Sequence, residues 1–180
     1  MIITTTCISL DVADEDVVED DLKALVARAL PDVPALAGRW YWDSRPQVAI
    51  VARAADVVVG VRFALARVVD VSGRAFHVVG TGVAVDPAWQ RKGVGTALTR
   101  VLLSEVVDDA DDVVIAFLAT ENARRLLVGH GFVALDVPVF VDDRDGQRVQ
   151  EQAPCFVREL KPGFVDAVRA AGALFVGRAW

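Results

Sequence analysis

The segment Val83-Ala84-Val85-Asp86-Pro87-Ala88-Trp89-Gln90-Arg91-Lys92-Gly93-Val94-Gly95-Thr96-Ala97-Leu98 concentrates the residue types that can hold an anion. A β-type run ends at Asp86-Pro87, a basic pair and two glycines follow, and helical spacing begins at Val94. Gly93 and Gly95 let the backbone come close to a ligand, and the N–H groups of a helix's first turn point outward with the positive end of its dipole. Arg91 and Lys92 add positive potential where a pyrophosphate would lie. Two other phosphate patterns fit badly. A Walker loop places its lysine after the glycines, whereas Lys92 precedes them, and a dinucleotide fingerprint needs a third glycine where Leu98 stands. The glycine pair alone is also compatible with a plain strand-to-helix turn.

Other reactive side chains are few. His77 and His130 are the two histidines and are far apart, Tyr41 is the only tyrosine, and Cys7 and Cys155 lie in separate strand-like runs. Without a CxxC or a His/Cys cluster, the expectation is no metal site and two reduced core thiols.

Amphipathic patterns say which elements must position these groups. Ile2 to Leu10 reads as a strand, and Val18, Leu22, Leu25, Val26 and Leu30 follow acidic residues at helical spacing, up to Pro31. Trp40-Tyr41-Trp42 forms an aromatic cluster in a loop or short helix. Strands over Pro46–Arg53 and Val57–Val71 lead through Ser72-Gly73 into a strand over Ala75–Val85, a long antiparallel hairpin. Gly80 and Gly82 fit either a bulge in this strand or simple packing sites. Val94, Ala97, Leu98, Val101 and Leu102 form a helical stripe. Val113–Leu118 reads as a strand covered on both faces, and Thr120 caps a helix that Gly129 and Gly131 end. Phe132–Val141 and Arg148–Leu160 read as a second hairpin, while the last twenty residues fit helix and strand alike.

The 180 residues, 54% of them apolar, suit one domain spanning 1–180 and exclude disorder. No apolar run reaches the ~18 residues of a membrane span, since the most apolar stretch, Val57 to Val71, is interrupted by Arg62, Arg67 and Asp70, and the N-terminus lacks a signal-peptide pattern. Nineteen bases against twenty-five acids leave no basic stripe for nucleic acid; the acidic balance suits cationic partners such as amines. A cytoplasmic location is expected, with the oligomeric state open between monomer and homodimer.

The pattern Val-Ala-Val-Asp-Pro-x-x-Gln-Arg-x-Gly-x-Gly-x-Ala-Leu closely resembles the acetyl-CoA motif of the GNAT acetyltransferase superfamily. Ala123-Arg124-Arg125-Leu126-Leu127-Val128-Gly129-His130-Gly131-Phe132 resembles its later motif, with one buried strand between the two, and the likeness covers roughly residues 1 to 160. It implies an α/β (α+β) fold with a central mixed, mostly antiparallel sheet of splayed strands flanked by helices. It implies acetyl-CoA as cosubstrate, with the pantetheine arm on the backbone of Val83, Ala84 and Val85. The pyrophosphate would lie in the Gln90, Arg91, Lys92, Gly93, Val94, Gly95, Thr96 segment, and the amine would attack the thioester directly.

The chain departs from that pattern where the family commonly has a tyrosine that protonates the leaving thiolate: this position is Leu127. The usual asparagine is Thr120, with Asn122 nearby but out of register, and Asn122 is kept as a cofactor-binding candidate. A general acid contributes ~10²–10⁴-fold, while a thiol of pKa ~8.5 is already a tolerable leaving group. The one replacement phenol is Tyr41, in a region that borders the acceptor in the family; His77, on the pleat face of Thr81 and Val83, is a candidate for removing the amine proton. His130 is expected to be structural. Two functions follow: an N-acetyltransferase acting on a small amine or a protein amino group, or a CoA-binding module with impaired or absent transfer.

Overall fold

Strands β3 (Val57–Val71) and β4 (Arg74–Val85) pair along their whole length, from Gly60 opposite Val85 to Val71 opposite Arg74. Ser72 (φ 53°) and Gly73 (φ 83°) make the tight turn, whose two positive φ angles match the strand twist. Asp70 Oδ1 accepts from Gly73 N–H at 2.9 Å and holds it closed. The computed structural model describes residues 8–13, 15–33, 36, 38, 39, 41, 44–117, 120–143 and 145–178. Cys7, Trp40, Trp42 and Leu118 lie outside them, as does the first part of the expected N-terminal strand.

Around this hairpin a seven-stranded sheet runs in the order β1-β2-β3-β4-β5-β9-β6. Its other members are β1 (Ile8–Ala13), β2 (Val48–Ala54), β5 (Val113–Phe117), β6 (Val133–Ala134) and β9 (Cys155–Glu159). Every pairing in it is antiparallel except β4 with β5. Helices α1 (Glu15–Ala29) and α4 (Phe164–Ala171) cover one face, burying Leu22, Leu25, Val26, Phe164, Val165 and Val168 against Val51, Val61 and Val71. Helices α2 (Val94–Val101) and α3 (Glu121–Val128) cover the other, where Val94, Leu98 and Leu127 meet Ile50, Ala52, Val79 and Val114. This is the mixed, mostly antiparallel, helix-flanked sheet that the sequence implies.

Four details differ from the sequence reading. The second hairpin is not continuous: β6 and β9 join the large sheet, while β7 (Val139–Asp142) and β8 (Arg148–Gln150) form a separate sheet with β10 (Leu174–Arg178). Pro138 and Pro154 stand at the breaks, and a proline cannot donate to a ladder. The C-terminal twenty residues hold both a helix and a strand, divided at Gly172 (φ 75°), with β10 parallel to β7. The stripe from Val94 ends as α-helix at Val101 and relaxes into a π-turn over Leu102–Val106. Of the two readings open at Gly80 and Gly82 the bulge is absent, since the β3–β4 register runs unbroken; the register shift lies between β2 and β3, at Ala52/Arg53.

Candidate functional site

The site is built where β4 runs on past its last described pairing with β5. β5 pairs with β4 from Val113/Val78 to Ala116/Thr81, whereas β4 continues to Val85. The last described residue of β5, Phe117, pairs with Cys155 of β9. The register decides which backbone groups this divergence releases. Asp86 N–H donates to Val59 O at 2.9 Å, which makes the even residues Gly82 and Ala84 turn their N–H and C=O toward β3. The odd residues Val83 and Val85 turn theirs to the opposite edge. At the other end of β4 the same alternation is filled: His77 N–H donates to Asp112 Oδ2 at 2.8 Å, and His77 O accepts from Asp112 N–H at 2.9 Å. Among the described residues no strand pairs with β4 beyond Thr81 on this edge, a geometry that could take an extended amide-bearing ligand as an added strand.

The chain leaves β4 through a short 3₁₀ turn, Pro87–Trp89, capped by Asp86, whose Oδ1 accepts from Ala88 N–H at 2.9 Å. Arg28 of α1 donates from Nε to Asp86 Oδ2 at 2.8 Å, and this bond, first among its causes, holds the Asp86 carboxyl below its usual range. Gln90 Nε2 donates to Val85 O at 3.2 Å and folds the loop back onto the strand end. Arg91 (φ 59°) and Gly93 (φ 87°) both take the left-handed conformation, and nothing lies within 4 Å of where a Cβ at Gly93 would stand.

Helix α2 then begins at Val94 with no side-chain cap at Gly93. Among the described residues no acceptor takes the amides of residues 91–96; the first helical bond is Ala97 N–H to Gly93 O at 2.9 Å. Arg91 and Lys92 are exposed beside these amides, with Lys92 Nζ 5.0 Å from the Trp89 ring centroid. Gly95 has a different duty from Gly93. A Cβ there would stand 3.2 Å from Leu126 Cδ2, so Gly95 lets α3 pack against the first turn of α2. Gly60 of β3 seats the same helix from below, since a Cβ there would come within 2.8 Å of Val94 Cγ1.

Beneath α2 lies a group the sequence reading noted only as an interruption in an apolar run. Arg62 of β3, opposite Val83, is 0% exposed; Nη1 donates to Thr99 Oγ1 at 3.0 Å, and burial pushes its guanidinium down to about 10. The available signal was a lone arginine amid Val58–Leu65, a run buried on both faces.

The remaining candidates fall at varied distances from this edge. Thr120 is the cap of α3, accepting from Ala123 N–H at 3.2 Å, and Asn122 is exposed in that helix's first turn. Leu127 is 2% exposed in the α2-side core with Phe132 and Phe156. His77 is exposed and four residues before Thr81, ~13 Å along the strand from the divergence. Tyr41 is half-buried against the opposite, α1-side core. The structure thus gathers residues 83–85 and 90–96 in one place and leaves His77 outside it. His130 is held to α3, with Nδ1 2.8 Å from Leu126 O. Burial pushes the Cys155 thiol up to about 12, so it stays protonated and inert. Among the described residues no group of His, Cys, Asp and Glu could hold a metal, and no helix is long and apolar enough to cross a membrane.

Solved structures share this architecture. A GNAT-family acetyltransferase from Streptococcus pneumoniae superposes with a TM-score of 0.60 at 15% identity, over 86% of this chain and 100% of that one. A Salmonella typhimurium protein assigned as an acetyltransferase, solved with its cofactor acetyl-CoA, gives 0.58 at 19% identity, over 87% and 96%. The ribosomal-protein-S18-alanine N-acetyltransferase of Escherichia coli gives 0.56 at 16%, over 87% and 96%. At these identities the likeness is one of fold. No curated protein sequence matches the chain. The model of the acetyltransferase (GNAT) family matches residues 16–132, from α1 through the diverging strands and the uncapped helix to Phe132. On that match, which spans well over half of its length, the chain belongs to the GNAT family of acetyltransferases.

Proposed function

We propose that this protein transfers the acetyl group of acetyl-CoA to an amine. The observation that carries the reading is the continuity of two donor sets. The Val83 edge of β4, which no described strand pairs with, runs directly, through a loop tied down by Gln90, into the uncapped amides of α2. The first set fits an amide-bearing arm and the second fits a diphosphate, in the order in which coenzyme A carries them. Acetyl-CoA supplies an activated thioester carbon.

In this reading the outward N–H and C=O of Val83 and the N–H of Val85 orient the arm, while Ala84, whose polar groups face β3, spaces them; residues 91–96 hold the diphosphate through their amides. Gln90 keeps the loop on Val85, and Asn122 stands at the exposed start of α3. Holding an amine and a thioester together is worth ~7–11 kcal/mol without any acid, and a thiolate near its own pKa needs little help to leave. With Leu127 buried, water takes the proton-donating role; Tyr41 is the only phenol that could share it.

A second reading is favoured by the same Leu127. A leucine sealed into the α2-side core suits a module that binds acyl-CoA without turning it over. Thiol release from acetyl-CoA in the presence of a panel of primary amines decides between them. Amine-dependent release supports transfer; tight acetyl-CoA binding with no release for any amine supports the module.

A further inference from the structure

Among the described residues, Arg62 is a charge that the fold buries completely with no carboxylate in ion-pair reach. Its Nε is the one buried side-chain nitrogen or oxygen without a hydrogen-bond partner. An isolated buried cation is costly, and substituting an apolar residue for one is often neutral or stabilising, so its retention calls for an anion elsewhere. The surroundings say where. Nη1 donates to Thr99 Oγ1 at 3.0 Å, and Thr99 Oγ1 donates to Gly95 O at 2.7 Å, inside the first turn of α2. Thr99 follows Val94 by five residues, ~8 Å along the helix axis, so the guanidinium bonded to it lies behind the first turn.

We propose that Arg62 is a positioning residue for the cofactor's diphosphate. Through Thr99 it holds the Gly95 carbonyl, and so the first turn of α2; its charge, set behind that turn, is matched when the first-turn amides receive the anion. The proposal rests on the acetyl-CoA reading above. It differs from the contribution of Arg91 and Lys92, because those exposed charges are screened by salt and a charge inside the protein is screened far less.

The test compares wild type, Arg62→Met, Arg62→Gln and Arg62→Lys by calorimetry with coenzyme A and with dephospho-coenzyme A, at low and high salt, beside thermal melts without ligand. A full charge ~8–10 Å from a diphosphate across protein is expected to be worth roughly ten-fold or more in affinity. Both neutral variants should lose that much for both ligands, by a factor that salt barely changes, while Arg62→Lys stays within ~3-fold of wild type. The unliganded Tm of Arg62→Met should equal or exceed that of wild type. Arg62→Gln keeps a donor for Thr99, so it carries the test if the methionine variant fails to fold. Wild-type affinity in the neutral variants overturns the proposal, as does equal loss in Arg62→Lys, which would make Arg62 packing alone. A loss confined to coenzyme A also overturns it, since the 3′-phosphate would then be the partner. Failure of the wild type to bind coenzyme A would instead overturn the acetyl-CoA reading itself.

Discussion

The Phe63 ring lies across the bare backbone of Gly82, its cross-strand partner, so closely that a Cβ at 82 would overlap the ring edge and stand 2.6 Å from Cε1. Gly82 is the first β4 residue beyond the last pairing with β5, so the ring covers the α1-side face just where the strands part. The glycine is a packing site for the aromatic ring, and the divergence lies where β4 runs on past its last described pairing with β5.

Gly82→Ala must therefore displace Phe63 and should cost ~1–3 kcal/mol by overpacking. Phe63→Leu in the same chain should recover a large part of that loss. Urea unfolding of the two single variants and the double variant checks this; additive losses would mean that the contact does not limit position 82.

The two loop glycines should respond differently to valine. At Gly93 the strain is conformational, because φ 87° is a region β-branched residues avoid. At Gly95 the new methyls press on Leu126 and shift α3 against α2. Both variants should weaken acetyl-CoA binding by roughly ten-fold or more, about 1.4 kcal/mol. Arg91→Ala should lose less, about 1 kcal/mol at low salt, and the loss should vanish at high salt. Calorimetry at two ionic strengths separates the cases.

Asp112 caps the start of β4 through His77 N–H, and that bond, aided by Lys161 Nζ at 3.3 Å from Oδ1, lowers its carboxyl pKa. A carboxyl lowered in the folded state contributes stability above its unfolded pKa and loses it as the pH falls through the folded value. Asp112→Asn should therefore be less stable than wild type at neutral pH, with the gap closing below pH ~4. Denaturation at several pH values reads it out; a constant gap would show that the charge is irrelevant.

Tyr41→Phe should leave kcat within about two-fold, because water is the proposed proton donor. A loss of ~10²-fold without change in acetyl-CoA affinity would make Tyr41 the acid. Leu127→Tyr places a larger, hydroxylated ring in a position only 2% exposed and should destabilise the fold by ~1–3 kcal/mol. Steady-state kinetics and thermal melts on the two variants measure these.

Local signals carried most of the architecture. The Val57–Val71 strand, the Ser72-Gly73 turn, the Thr120 cap and the stripe from Val94 are all written in side chains close in sequence. The anion loop was legible for the same reason, since glycines, basic residues and helix start are contiguous. What escaped depends on distant partners. Neither the division of β6–β9 from β7–β8 nor the parallel seat of β10 on β7 can be read from alternation, which is identical in either sheet. Asp86 and Asp70 cap turns next to them in sequence, but the Arg28 clamp on Asp86 joins residues 58 apart. Arg62 looked like an interruption because its meaning lies in Thr99, one helix away.

Calorimetric titration of the wild-type chain with acetyl-CoA, beside Gly93→Val, tests the central claim most directly. The diverging strand edge and the uncapped helix predict one acetyl-CoA per chain, with affinity falling roughly ten-fold or more in the variant. No binding by the wild type, or equal binding by Gly93→Val, would contradict it.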